Sequence, residues 1–324
     1  PYPMPPHKLS YSSQRVANGF RELGLTMQSN PLAANSEVYD NRPPCNYCGQ
    51  CARGCPRLDK GTADITYLAK ALATGNCIIS PLSPVLRLEA GPGDRVRAAV
   101  YADASGHLQR ATADLFIVAC GAIETPRLLL NSAGPQAPNG LANESGLVGK
   151  NLMETLFWVS SGLHPESLGS HRGLPSDAVC WDYNAPDAVP GVIGGVRFSP
   201  MTIEADLAGP INYAKRVVGG WGASHKAAMR EQFGRVLSIG GIGESLPNPR
   251  SNVDLDVESK DAHGIPKARI HSYLPETEIQ RLAFIAKICR EALSAAGVER
   301  PIEEFGSYDM FNATHVFGTC RMGN

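Results

Sequence analysis

The sequence predicts an α/β fold joined to an α+β region built on an antiparallel sheet. Three observations carry this. Residues 113–119 (Ala-Asp-Leu-Phe-Ile-Val-Ala) are a compact apolar run, the pattern of a strand buried on both faces. Cys120-Gly121-Ala122 turns it directly into a helix over 124–132, with Pro126 in the first turn. From 146 to about 275, short strand candidates at 157–161, 191–198, 236–240 and 267–271 lie between loops holding Gly and Pro, which reads as antiparallel pairing in a second domain. Residues 276–296 then give the clearest helix. Ile279, Leu282, Ala283, Ala286, Cys289, Leu293 and Ala296 recur at three-and-four spacing, and Gly297 sits at the C-cap.

The remaining elements follow in chain order. Residues 14–25 carry Val16, Phe20, Leu23 and Leu25 at helical spacing, ended by Gly24. A second helical stripe, Ile65, Leu68, Ala69 and Leu72, spans 62–74 and stops at Gly75-Asn76. Strand candidates follow at 77–80, 85–89, 96–101 and 107–111, separated by turns at Gly91-Pro92-Gly93-Asp94 and Ala104-Ser105-Gly106. Strand, tight glycine turn and helix, as at 113–132, is the local grammar of a nucleotide-binding α/β sheet.

The 324 residues exceed the usual size of one domain, so two domains or one elaborate one are expected. The chain is 43% hydrophobic and 19% charged, with a formal net charge of −1. That balance excludes a strongly basic nucleic-acid or anionic-membrane surface as its main business, although a local patch survives such a cancellation. No stretch approaches the roughly 20 apolar residues of a transmembrane helix. The opening Pro1-Tyr2-Pro3-Met4-Pro5-Pro6 lacks a signal-peptide pattern. It also lacks an initiating Met, so the start is expected to be missing, and cytoplasmic and periplasmic placements both stay open. The 33 glycines and 25 prolines point to a loop-rich globular enzyme, and the length excludes a small disulfide scaffold.

Four strings carry a resemblance. They are Gly121-Ala122-Ile123-Glu124-Thr125-Pro126-Arg127-Leu128-Leu129-Leu130-Asn131-Ser132, Leu147-Val148-Gly149-Lys150-Asn151-Leu152, Asn248-Pro249-Arg250-Ser251-Asn252-Val253-Asp254-Leu255 and His315-Val316-Phe317-Gly318-Thr319-Cys320-Arg321-Met322-Gly323. In this order they resemble the signatures of the glucose–methanol–choline (GMC) flavoprotein oxidoreductases, and together they cover nearly the whole chain. The resemblance is to gluconate and glucose dehydrogenase-like members. It implies an FAD-binding fold, here incomplete and Rossmann-like, and oxidation of a CH–OH group of an alcohol, sugar or polyol. Residues 1–44 would be a substrate-domain or lid segment and 45–152 part of the FAD-binding domain. Residues 153–307 would be the substrate domain and 308–324 the start of the C-terminal active-site segment. His315 would take the substrate hydroxyl proton as hydride leaves for the flavin. A neutral imidazole suits that role, a loop histidine held by hydrogen bonds being the plain alternative. By the same resemblance Ala119, Cys120, Gly121 and Asn151 lie against the cofactor, and Val85 meets the adenine or simply fills sheet core.

Two family features are absent: a Gly-x-Gly-x-x-Gly phosphate loop ahead of these strings, and a second active-site His or Asn downstream of His315. A fragment truncated at both ends is therefore expected, binding FAD weakly or not at all by itself. Cys45, Cys48, Cys51 and Cys55 reproduce the spacing of a bacterial ferredoxin run, without a second run to accompany it. An iron–sulfur cluster, a zinc site and a loop of free or packed thiols all remain open. A cluster would make the chain an electron relay toward a quinone or cytochrome partner. It would also permit the alternative of an electron-transfer or metal-binding module with no alcohol oxidation of its own. Lys60, Thr62 and Asp64 read as a helix start with capping, Glu244 and Asp261 as surface charges, and Trp158, Trp181 and Trp221 as core packing rather than a sugar-stacking face.

Overall fold

The computed structural model describes residues 2–93 and 95–322. Pro1, Asp94 of the turn expected at 91–94, and Gly323 of the terminal string lie outside the described residues. The chain divides into two units, each assembled from three stretches.

The first unit holds Pro1–Cys77, Leu156–Glu244 and Glu276–Met310. Its centre is an antiparallel six-stranded sheet in the order β1 (Met27–Ser29), β6 (Ala178–Cys180), β7 (Val196–Pro200), β8 (Val236–Gly243), β5 (Leu156–Leu163), β11 (Arg300–Gly306). The β5–β8 register runs from Leu156 opposite Gly243 to Leu163 opposite Val236. Alternation along β8 sorts its side chains to the two faces. Leu237 and Ile239 join a core with Val16 and Phe20 of α1 (Tyr11–Glu22) and Ile285, Cys289 and Ala292 of α6 (Glu276–Ala295). Val236 turns the other way, to Phe157, Val159, Leu207 and Tyr213. Gly241 admits the long helix: a Cβ there would stand 2.3 Å from Ile285 Cγ2. α1 starts on Ser10, whose hydroxyl accepts from the Ser13 amide, and ends ahead of Gly24 at φ +75°. The 62–74 stripe forms a wide helical turn (Asp64–Leu68) running into the short α2 (Ala69–Ala73). The helix ends ahead of Gly75 as expected, but it buries none of its apolar residues.

The second unit holds Ile78–Thr155, Ser245–Pro275 and Phe311–Asn324. β2 (Val85–Gly91), β3 (Arg95–Ala102) and β4 (Leu108–Ala111) form an antiparallel meander as expected, but 77–80 is not a strand. α3 (Gly121–Asn131) packs Leu128 on Leu88 and Ala99. The Ser132 hydroxyl ties helix to sheet by accepting from the Leu88 amide at 2.8 Å and donating to the Leu128 carbonyl at 2.6 Å.

Two expectations are corrected here. Residues 113–119 are extended but belong to no sheet, and they are not buried on both faces. Phe116 and Val118 pack on the Leu88 core, while Leu115 is 74% and Ile117 82% exposed. Alternation persists, but among the described residues no neighbouring strand takes up the backbone donors and acceptors that would make the run a strand. Secondly, the candidate strand at 267–271 and the Asn248–Leu255 string do not join the large sheet. β9 (Asn252–Lys260) and β10 (Pro266–His271) pair with each other as a hairpin. Arg127 of α3 fixes the hairpin turn, donating to the Pro266 carbonyl at 2.7 Å and to Asp261 at 2.6 Å. Asp261 is thus an anchor rather than a free surface charge.

Candidate active site

The residues singled out from the sequence fall into two groups. Ala119, Cys120, Gly121, Val85, Asn151 and His315 all belong to the second unit, and the four clustered cysteines to the first.

In the second unit, the segment from Gly149 to Thr155 runs between two others. On one side, Gly149 and Val253 bond carbonyl to amide at 2.8 Å, and the Leu152 amide donates to the Ser251 carbonyl at 2.9 Å. On the other, Met153 and Phe317 exchange two backbone bonds at 2.9 and 3.0 Å, and the Gly149 amide donates to the Thr319 carbonyl at 2.8 Å. Two glycines make these approaches possible. Gly149, at φ +84°, would place a Cβ 2.1 Å from the Val253 carbonyl oxygen. Gly318, at φ +96°, would place one 2.2 Å from the Asn151 carbonyl oxygen. The Asn151 backbone is left-handed as well, at φ 58°. Its place in the Val-Gly-x-Asn-Leu string is that of a turn residue against Gly318.

His315 sits on this frame. Its amide donates to Thr155 Oγ1 at 2.9 Å, and its side chain is exposed. One step earlier, the Asn312 amide donates to Glu154 Oε2 at 3.0 Å, while the other oxygen of Glu154 accepts from the Ser272 hydroxyl. Glu154 is 6% exposed. A carboxylate spends both oxygens inside the unit to hold the start of the histidine segment, because a buried carboxylate must be compensated by donors. Sequence reasoning missed Glu154, Thr155 and Ser272. The available signal was that Glu154 is the lone Asp, Glu, Lys or Arg between Lys150 and Glu166, directly ahead of an apolar strand.

Thr319 carries the frame to the glycine turn. Its hydroxyl donates to the Ala122 carbonyl in the first turn of α3 at 2.7 Å. Ala119 and Cys120 are exposed, and the Cys120 amide is taken by Thr125 Oγ1 at 3.1 Å. Gly121 has φ +78°, and no heavy atom lies within 4 Å of where its Cβ would be. The backbone there stands open at a helix N-terminus, which suits the close approach of an anionic or planar group. Val85 opens β2 on an exposed position, so the alternative of plain sheet core does not describe it.

The cysteines are held separately and pair in no disulfide. The Cys45 sulfur accepts from the Tyr47 amide at 3.3 Å, Cys55 donates to Asp59 at 3.3 Å, and Cys48 is exposed. Lys60 donates to the Cys51 carbonyl at 2.9 Å, so its ammonium braces this loop. Burial pushes the Cys45 thiol up to about 11 and raises that of Cys51. Among the described residues no group of three or more His, Cys, Asp or Glu side chains is arranged to hold a metal ion. The donor set as it stands therefore does not fit an iron–sulfur or zinc centre. Of the tryptophans, Trp158 packs at the core but Trp221 is 84% exposed, against expectation.

Residues 8–156 match the GMC oxidoreductase family. A 2-methyl-1,2-propanediol dehydrogenase of Mycolicibacterium austroafricanum is 28% identical over 99% of this chain and 58% of its own length. A paromamine 6'-oxidase of Streptomyces fradiae is 29% identical over 99% of this chain and 56% of its own. The chain thus spans somewhat more than half the length of these relatives. An Aspergillus oryzae formate oxidase, solved in a study of FAD modification, superposes with a TM-score of 0.59 at 15% identity, over 97% of this chain and 62% of that one, and so shares the fold. On these matches and the four strings it carries in order, the chain is similar to the GMC oxidoreductases, and its residues 8–156 match that family.

Proposed function

We propose that the protein to which this chain belongs oxidises a CH–OH group of an alcohol, sugar or polyol with FAD, and that His315 is its general base. The observation that carries the reading is the connected frame of the second unit. The exposed His315 and the open Gly121 turn hang on the same hydrogen-bonded scaffold, through Thr155 at one end and Thr319 at the other. Ala119, Cys120, Gly121, Asn151 and Val85 would hold part of the cofactor, with backbone rather than charged side chains. When bound, FAD supplies the hydride acceptor. His315 supplies a ring nitrogen positioned to accept the hydroxyl proton. Glu154 and Thr155 hold the backbone on which that ring stands.

The electrons then pass to a non-oxygen acceptor, a quinone or cytochrome partner. In favour of this stands the diol dehydrogenase among the relatives; the aminosugar oxidase stands against. The four cysteines lend it no support. The test uses the longer parent protein with alcohols and sugars as donors and a redox dye or oxygen as acceptor. His315→Asn should lower the rate by about a hundredfold or more while flavin absorbance stays stoichiometric. An unchanged rate rejects His315 as base, and faster turnover with oxygen than with dye rejects the acceptor assignment.

A further inference from the structure

One face of the first unit plays no part in this chemistry. α4 (Pro210–Arg216) and α5 (Gly222–Gln232) flank a groove of about 580 Å³. Pro210, Ile211, Ala214 and Met229 line it with apolar surface, and Lys215, His225, Lys226 and Arg230 supply its basic groups. The two helices are fixed to each other. Tyr213 of α4 is fully buried, donates its hydroxyl to the Gln232 carbonyl at the end of α5, and meets Phe233 edge-on with ring centroids 5.0 Å apart.

The groove lies beside an apolar tip. Trp221 is carried on Gly219-Gly220-Trp221-Gly222, with Gly220 and Gly222 both left-handed at φ +96° and +73°. The tip is held by His225, whose ring nitrogen lies 3.3 Å from the Gly219 carbonyl oxygen. Trp221 is 84% and Ile211 65% exposed. Among the described residues Lys215, Lys226 and Arg230 form no ion pair, whereas their neighbour Arg216 is engaged by Glu303. Three cations without ion pairs thus share one face with exposed Trp and Ile, a local basic patch in a chain of net charge −1.

We propose that the α4–α5 face docks on an anionic lipid surface. Trp221 and Ile211 enter at headgroup depth, and Lys215, Lys226 and Arg230 meet the phosphates. Charge complementarity selects the occupant. An exposed indole on the same face as two lysines and an arginine is the composition of a membrane-surface element, in which long stems lie along apolar surface while the charges reach phosphate. Protein interfaces, by contrast, are depleted in Lys. No helix among the described residues is long and apolar enough to cross a membrane, so docking of this face is proposed at the surface only.

The test is cosedimentation of the chain with vesicles of phosphatidylcholine alone or mixed with phosphatidylglycerol. Binding is expected to the mixed vesicles only, to weaken with added salt, and to shift tryptophan emission to the blue unless Trp221→Phe is present. Lys215→Glu/Lys226→Glu/Arg230→Glu should weaken binding by at least about a hundredfold. The milder Lys215→Gln/Lys226→Gln, which leaves the fold unchallenged, should do so by roughly tenfold. Equal binding to both vesicles, binding to neither, or a triple variant that binds like the parent would each overturn the proposal. So would capture of an acidic amphipathic peptide by a face that ignores vesicles, which would reassign it to a protein partner.

Discussion

Replacing Glu154 by Ala should loosen the histidine segment at its root. The carboxylate accepts from the Asn312 amide at 3.0 Å and from the Ser272 hydroxyl, and it is buried. Hydrogen bonds to a charged acceptor contribute about 1.5–3 kcal/mol each, and a buried donor left without a partner costs about 1–3 kcal/mol. The two terms describe one loss and must not be added, so two bonds put the effect of Glu154→Ala at about 3–6 kcal/mol. Glu154→Gln keeps a carbonyl for one donor and turns its amide toward the other, which should cost about 1–2 kcal/mol. Urea unfolding of the chain measures both values. Hydrogen exchange at the Asn312 amide localises them, because that proton loses its acceptor in the Ala variant and the Leu88 amide, bonded to Ser132, does not. If both variants unfold within about 0.5 kcal/mol of the parent, or exchange quickens equally at the two amides, Glu154 is not the clasp described here.

Three further outcomes are expected. Gly318→Ala combines a left-handed backbone with a methyl 2.2 Å from the Asn151 carbonyl oxygen and should cost roughly 3 kcal/mol, read as a lowered urea midpoint. Under iodoacetamide near pH 8, peptide mapping should find Cys48, Cys120 and Cys320 modified first, with Cys180 and Cys289 protected until denaturant is added; equal labelling of Cys289 in the folded chain would contradict the α6 packing. The hydrogen bonds from Arg269 hold the Asp254 carboxyl below its usual range, outweighing partial burial, with His271 adding to the effect. A depressed carboxylate stabilises above its unfolded pKa of about 3.9, and the contribution is lost as pH falls through the folded value. Asp254→Asn should therefore cost under about 1 kcal/mol at pH 7, both partners being partly exposed, and nothing in strong acid; a cost that grew on acidification would refute the sign.

What the sequence disclosed depended on where each segment finds its partners. α6 was legible almost to the residue because its stripe, from Leu282 to Leu293, is buried by the sheet it crosses. The meander β2–β4 was legible because its turns are local. Residues 113–119 misled because an apolar run reports the chance to be buried, not the presence of a strand to pair with. β9 and β10 were given to the wrong sheet, since nothing in Val253 or Ile270 announces that Arg127, more than a hundred residues away, would seat their turn. α4 and β6 span few residues and carry too little periodicity to register. At the site, His315 and Gly121 were found through their strings. Glu154 and Thr155, which hold the histidine segment, were not, because a hydrogen bond of sequence separation 158 leaves no local pattern.

Neither unit is written in one continuous stretch of chain. Synthesis that had reached only residue 270 would have made five of the six strands of the large sheet and left bare the face that α6 covers. Phe198, Leu237 and Ile239 would then wait on α6, and the meander would wait equally for Thr319 to reach Ala122. Closure over such sequence distances is slow, and it leaves apolar surface available to other nascent chains meanwhile. A slow folding phase that exposes apolar surface is the expected consequence of the order in which this polypeptide is spelled.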